Sequence, residues 1–283
     1  MNRLPLDTRV RVLSALCEGM SIRATVRMTG VAKNTIQKLL HDVGFACDAY
    51  QDRVMRDLKC RRIQADEIWS FCYSKERNVP ERFQDKQGYG SVYTWVALDE
   101  DTKLVPCWLV GDRNYTCALA FTRDLASRMA HRIQLSTDGL KLYIEAIEDA
   151  FGYEVDYAQL IKIYGADLQE QPRYSQPNCI GTKIKRVSGN PDLSRVGTSH
   201  IERQNLTMRM CMRRFTRLTN AFSKKIENHS LAISLHFMYY NFVRKHQSLG
   251  TTPAVAAGIA GHVWTLHEVA MLPDAIRDAF PAA

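Results

Sequence analysis

RRIQADEIWSFCYS, residues 61–74, is rich in Ile, Trp, Phe and Tyr and reads as a strand. Two carboxylates interrupt it, Asp66 and Glu67. An unpaired carboxylate on a central strand is costly, so Asp66 is either an outward charge on an edge strand or part of a site. Strand alternation sends Glu67 to the face opposite Asp66, so only one of the two is expected to belong to that site.

Working outward, GYGSVYTWVALDE (residues 88–100) and KLVPCWLVGD (residues 103–112) read as two more strands, joined by the polar turn from Asp99 to Lys103. A helix is expected over NYTCALAFTRDLASRM (residues 114–129), a strand over RIQLST (132–137) and a helix over LKLYIEAIEDAFG (140–152). Three antiparallel strands followed by alternating helix and strand is the order of the ribonuclease H-like α/β fold, which is known for carboxylates on its first and fourth strands. Asp138 falls where that expectation wants one, ending HRIQLSTD, although Asp before Gly139 also suits a plain helix N-cap.

Residues 1–45 read differently. Leu6, Val10, Leu13 and Leu16 keep a helical period until Gly19, Ser21 caps a short helix that breaks at Gly30, and Ile36, Leu39, Leu40 and Val43 define a third helix ended by Gly44. Helix, Gly-containing turn and third helix is the helix-turn-helix layout. It turns Lys33, Asn34, Thr35, Gln37, Lys38 and His41 outward, where they can read base edges or hold phosphates, and no exposed acid is expected before Asp42. Residues 46–61 are expected to be a linker or connecting helix, 62–250 the ribonuclease H-like domain and 251–283 a tail with only helical turns. The polar stretch between Gly165 and Thr198, broken by Pro172, Pro177, Gly181, Gly189 and Pro191, reads as one long loop.

The third carboxylate setting is TSHIERQNLTMRMCMRRFTR, residues 198–217. Glu202 opens it, and seven Lys/Arg with no acid follow from Arg203 to Lys225. As one long helix, it would carry Arg209 and Arg213 along the face of Glu202 with Arg217 beside it, and these arginines with Arg203 are the candidate phosphate contacts. Met208, Cys211, Phe215, Leu218 and Phe222 would form a buried stripe. A solvated basic face is the bland alternative. Carboxylates drawn from distant segments beside this much positive charge suggest divalent metal next to a polyanion, and hence phosphodiester chemistry.

Composition limits the alternatives. The chain has 283 residues, 46% of them hydrophobic, and a net charge of +8, which favours an anionic partner. Its eight cysteines form no C-x-x-C pair, which argues against a zinc finger and against a secreted disulfide framework. His200, His229, His236 and His246 are too irregularly spaced for zinc, and no Walker-type phosphate loop is present. With no apolar leader and no long apolar run, a soluble protein of the cytoplasm, associated with the nucleoid, is expected.

TSHIERQNLTMRMCMRRFTRLTNAFSKK resembles the glutamate motif of bacterial insertion-sequence transposases of the DDE type, above all the group founded on the smallest simple insertion sequence. QADEIWSF resembles that group's first-aspartate strand, LSTDGLKLY its second-aspartate motif, and MYYNFVRKHQSLGTTPAVAAG its closing helix and loop. The likeness spans roughly residues 10–260. It implies that Asp66, Asp138 and Glu202 are a catalytic triad holding two Mg²⁺ ions, with Mn²⁺ as an alternative. It also implies double-stranded DNA, as element ends and target, for a partner, and a homodimer or larger assembly on that DNA. The group's N-terminal zinc-binding element has no counterpart here. A nuclease of the same fold without strand transfer and a non-catalytic DNA-binding repressor are the competing expectations.

Overall fold

The computed structural model describes residues 4–84, 86–165, 179–216 and 219–279. A six-stranded mixed sheet forms its centre: β1 (Arg62–Cys72), β2 (Gly90–Asp99), β3 (Trp108–Gly111), β4 (Ile133–Thr137), β5 (Val155–Tyr164) and β6 (Cys179–Ser188), in the order β3-β2-β1-β4-β5-β6. β1 to β3 are antiparallel neighbours, β1 lies parallel to β4 and β4 to β5, and β6 returns antiparallel on β5. The first three strands are therefore those expected. β4 and β5 run parallel because α4 (Tyr115–Arg128) and α5 (Leu142–Phe151) supply the crossovers that parallel neighbours require.

Helices cover both faces. Trp95 of β2 packs its ring against Phe121 of α4 and Tyr143 of α5, on one side. On the other side lie α6 (Ser199–Cys211) and α7 (Ile226–Met238), with Trp108 of β3 against Phe237 of α7. The N-terminal helices α1 (Leu6–Cys17), α2 (Ile22–Thr29) and α3 (Lys33–Val54) are built on this second side. Leu13, Cys17, Leu40 and Val43 share one buried cluster with Trp95 and Ile133, so the helical segment is not a bead on a string.

Four sequence expectations are corrected here. Gly44 does not end the third helix, which runs on to Val54 with Ala46, Cys47 and Gln51 buried, so the connecting segment begins as a continuation of that helix. Gly44 is instead a point of close approach: a Cβ there would lie 2.6 Å from the carbonyl oxygen of Leu231 on α7. The stretch after Gly165 is not all loop, because residues 179–188 form β6; residues 166–178 fall outside the described residues. The C-terminal tail contains a 14-residue helix, α9 (Leu266–Ala279), beyond the short α8 (Pro253–Ala256). Arg9 of α1 donates to the carbonyl of Ala270 on α9 at 2.9 Å, which ties the two chain ends together. The run before Asp42 is not free of exposed acid, since Asp7 and Glu18 lie at the surface of α1 and just past its end.

A buried polar knot locks α3 to the sheet. Asn241, fully buried in the turn after α7, exchanges hydrogen bonds with both the N–H and the carbonyl of Val105 at 3.0 Å. Its amide also reaches Gln51 of α3, whose own Nε2 donates to the carbonyl of Ser234. Such groups are costly when unpaired and fix geometry when satisfied. Among the described residues no helix is long and apolar enough to cross a membrane.

Candidate functional site

β1 and β4 stop pairing at Ala65↔Thr137, and the next residues on each strand are Asp66 and Asp138. At this point the sheet opens into a cleft of about 1230 Å³ lined by Asp66, Glu67, Asp138 and Glu202, with Arg113, Lys162, Asn205, Arg203 and Arg209 around them. Three distant segments thus bring Asp66, Asp138 and Glu202 to one cavity.

Their detailed arrangement differs from the expectation. Carboxylate oxygens of Asp66, Glu67 and Asp138 lie within 4.8 Å of one another, and Glu202 is not in that group. The sequence reading that left Glu67 out is corrected: both adjacent carboxylates reach the same place. Asp138 sits beyond the last β1–β4 pair, at an open edge accessible from either face, so alternation along β1 does not exclude Glu67. Glu202, the fourth residue of its helix, is held instead by the ammonium of Lys162 on β5 and by the hydroxyl of Thr198, each at 2.5 Å.

The surrounding chain explains why these groups sit where they do. Gln64, buried on β1 two residues before Asp66 and on the same face, accepts hydrogen bonds from the N–H groups of His200 and Ile201 at 3.0 and 3.1 Å. It therefore caps the first turn of α6, a role usually taken by a residue just ahead of the helix, and fastens the Glu202 helix to the Asp66 strand. Asn205, one turn after Glu202, donates its Nδ2 to Asp66 Oδ2 at 2.8 Å. Asp138 Oδ1 accepts from the N–H of Leu140 at 2.9 Å, but it does not cap α5, whose N-cap is Lys141, so the plain N-cap alternative is not what the fold builds.

Burial, then the nearby carboxylates of Glu67, Asp138 and Glu202, pushes Asp66 up to about 7. Burial and Asp138 push Glu67 up to about 6, against the Arg113 guanidinium and the Tyr143 hydroxyl, which lower it. Mutual repulsion of this kind is relieved by a cation. The donor set fits a hard divalent ion: carboxylates from rigid elements, no thiolate or imidazole, and a buried Asn205 Oδ1 on the cleft wall with no hydrogen-bond partner.

The expected nucleic-acid contacts divide into two groups. Lys33, Asn34, Thr35, Gln37, Lys38 and His41 are all exposed on the first turns of α3, as expected, with Lys38 paired to Asp42 at 2.8 Å. Arg203 and Arg209 lie on the acidic cleft. Arg213 does not share the Glu202 face, because α6 ends at Cys211 and Met212 is extended, with φ −117° and ψ 109°. The chain instead turns back to the sheet: the N–H of Tyr73 donates to the carbonyl of Ser223, Phe222 packs on Phe71, and His229 bridges Ser70 and Ser223. Buried and beside the Arg214 guanidinium, His229 is pulled down to about 3 and stays neutral. Arg213 therefore joins Lys33 and Gln37, with Arg23 and Lys224, in a second groove of about 530 Å³ that has no acid on its walls among the described residues. Arg217 lies outside the described residues.

The residues that sequence reasoning missed are Gln64, Glu67, Arg113, Lys162 and Asn205. Asn205 and Gln64 were within reach, being three residues from Glu202 on a helix and two from Asp66 on a strand. Lys162 belongs to a strand that carried no separate sequence assignment, and nothing local marks Arg113.

No family model and no curated protein matches this chain. Solved structures do. They include the Mos1 strand transfer complex (10% identity, TM-score 0.23, covering 55% of this chain and 59% of that one). Another is the Mos1 mariner paired-end complex with Mn (11%, TM-score 0.22, 55% and 60%). A third is the piggyBac transposase synaptic complex with hairpin DNA (11%, TM-score 0.37, 98% and 72%). The chain thus spans about 60% of the Mos1 chains it matches. Overlaps of this extent carry no inference about activity.

Proposed function

We propose that this chain is a DNA transposase of the DDE type. The three N-terminal helices act as a helix-turn-helix that recognises the terminal inverted repeats of its own element. The region 62–250 acts as a ribonuclease H-like domain that cuts the element ends and joins them to target DNA. Three consecutive antiparallel strands, followed by helix and parallel strand twice over, support that fold assignment. The observation that carries the proposal is the sharing of one cleft by Asp66, Asp138 and Glu202, with Arg203 and Arg209 on its walls.

In this scheme Asp66, Asp138 and Glu202 hold two Mg²⁺ ions, or Mn²⁺ in their place. Divalent cations there supply Lewis acidity at the phosphoryl group and make water or a 3′-hydroxyl a better nucleophile. Asn205 orients Asp66, Gln64 fixes α6 against β1, and Lys162 with Thr198 sets the carboxylate of Glu202. Arg203 and Arg209 neutralise phosphates along the cleft, a positioning role that carries no sequence information. No Ser or Tyr nucleophile is required. Joining two ends calls for a dimer or larger assembly on DNA, with the protein working at the nucleoid.

Strand-transfer assays on labelled end DNA with Mg²⁺ test this. Wild type is expected to cleave and join, and Asp66→Asn, Asp138→Asn and Glu202→Gln to lose both steps while remaining folded. Near-normal activity in any one variant removes that residue from the site. Cleavage by wild type without joining would make the chain a nuclease.

A further inference from the structure

Glu67 is more buried than a carboxylate serving only a surface ion pair needs to be. Its side chain is 3% exposed, while that of its partner Arg113 is 43% exposed. Both guanidinium contacts fall on the same oxygen, Oε1, at 2.7 Å, and Oε2 has only the Tyr143 hydroxyl at 3.3 Å. Burying a carboxylate to pair with a half-exposed arginine costs more desolvation than the ion pair returns. Yet Glu67 is kept there, with an oxygen within 4.8 Å of oxygens of Asp66 and Asp138.

A second observation points to a ligand at this spot. Asn205, nine-tenths buried on the cleft wall, uses Nδ2 on Asp66 and leaves Oδ1 without a partner. Turning the amide over would set its oxygen against the Asp66 carboxylate, so the orientation is dictated by Asp66. An acceptor oxygen is thus retained, unsatisfied, on the amide that holds Asp66 and on the wall of the same cleft, which a cation or its bound water would satisfy.

We propose that Glu67 is a fourth carboxylate ligand of the divalent-cation centre, and that Arg113 competes with the cation for it. The proposal rests on the metal-dependent reading of the same cleft. Asp66 reaches the centre from the α6 side of β1 and Glu67 from the α5 side, so the oxygens approach from both faces of the sheet edge and suit an ion that takes six or more oxygen ligands. Before the cation binds, Arg113 satisfies Glu67 as Lys162 satisfies Glu202.

Mn²⁺ binding to the full chain without DNA, read from the EPR signal of free Mn²⁺, tests the proposal. Glu67→Gln is expected to weaken binding by about tenfold or more, since even outer partners of metal ligands cost that much when removed. Arg113→Ala is expected to tighten binding, and the gain is expected to vanish in the Arg113→Ala/Glu67→Gln double variant. A merely structural Glu67 would not give that sign. Wild-type Mn²⁺ affinity in Glu67→Gln, with affinity lost in Asp66→Asn, would overturn the proposal and leave the metal-dependent reading standing. Failure of wild type to bind Mn²⁺ would overturn both. Should Glu67→Gln fail to fold, absence of any gain in Arg113→Ala, whose side chain is partly exposed, overturns the proposal by itself.

Discussion

The acidic cleft and the basic groove sit at opposite ends of α6 and solve opposite electrostatic problems. In the cleft every carboxylate has a local partner: Asn205 for Asp66, Arg113 for Glu67, the Leu140 N–H for Asp138, Lys162 for Glu202. In the groove Arg23, Lys33, Arg213 and Lys224 gather with no acid among the lining residues. Two of those partners are neutral, so the carboxylates still repel one another and the cleft suits a small cation. The groove, cationic without acids, suits a large anion, and a polyphosphate backbone is the anion that spans it. The helix between them is shared. Its first turn is capped by Gln64 beside Asp66, and the carbonyls of Met210 and Cys211 at its other end lie 3.2–3.3 Å from where a Cβ on Gly19 would sit.

The sharpest way to break this contrast is to mutate one side and assay both functions. Asp138→Asn is expected to lower strand cleavage by about 10³-fold, several kcal/mol of lost transition-state stabilisation, with end-DNA affinity at the wild-type level. Parallel losses of binding and cleavage would mean that the two concavities are not separate in function. Next in size is specificity. Asn34→Ala with Gln37→Ala is expected to cost roughly 1–3 kcal/mol of discrimination per lost base contact, measured by competition between end DNA and scrambled DNA. Nonspecific nicking is expected to persist. Full preference in the double variant would move recognition off α3.

A stability effect of similar or smaller size belongs to the cleft alone. Asp66 titrates near 7 in the fold against an ordinary value of 3.8, so the folded state holds its proton more tightly than the unfolded chain does. The stability this lends is fully present below pH 3.8 and is lost as pH rises through about 7. Asp66→Asn is therefore expected to be more stable than wild type at pH 8, by on the order of 1–3 kcal/mol, and indistinguishable from it near pH 3.5. Thermal unfolding at the two pH values decides the matter. Adding Mn²⁺ is expected to raise the wild-type midpoint more at pH 8 than at pH 6, because the ligands must be ionised to bind. A pH-independent difference between the two proteins would place Asp66 outside the carboxylate cluster.

How far the sequence could be read follows the same division. The strands were legible where β-branched and aromatic residues are dense, as in GYGSVYTWVALDE. The carboxylates stood out because Asp66 breaks such a run and Glu202 heads an acid-free one. What stayed hidden depended on partners remote in sequence. Gly44 looked like a helix stop and is a contact with Leu231. β6 is a mostly exposed edge strand whose Lys183, Lys185 and Arg186 give no apolar alternation. Arg213 left its expected face because the chain after Cys211 abandons helix to return to β1 at Ser223. Alternation alone excludes Glu67, a rule that does not hold where Asp138 lies past the end of a ladder.

The smallest effect expected is also the one that most directly tests what the basic groove is for. Its cations come from two parts of the chain: Arg23 on α2 and Lys33 at the start of α3, and Arg213 and Lys224 from the segment that follows α6. Lys224 is held in place by its ammonium over the Phe222 ring, 4.3 Å from the centroid. If one duplex backbone runs through the groove, each cation neutralises a phosphate, and Lys33→Ala, Arg213→Ala and Lys224→Ala each reduce the magnitude of the log-affinity versus log-salt slope by about 0.9. Because phosphate contacts ignore sequence, end DNA and scrambled DNA lose affinity alike. A change from Lys33 alone would confine DNA to α3 and leave the Arg213 wall as a solvated surface. Unchanged slopes in all three would take DNA out of the groove and leave Arg203 and Arg209, in the acidic cleft, as the cations that hold it.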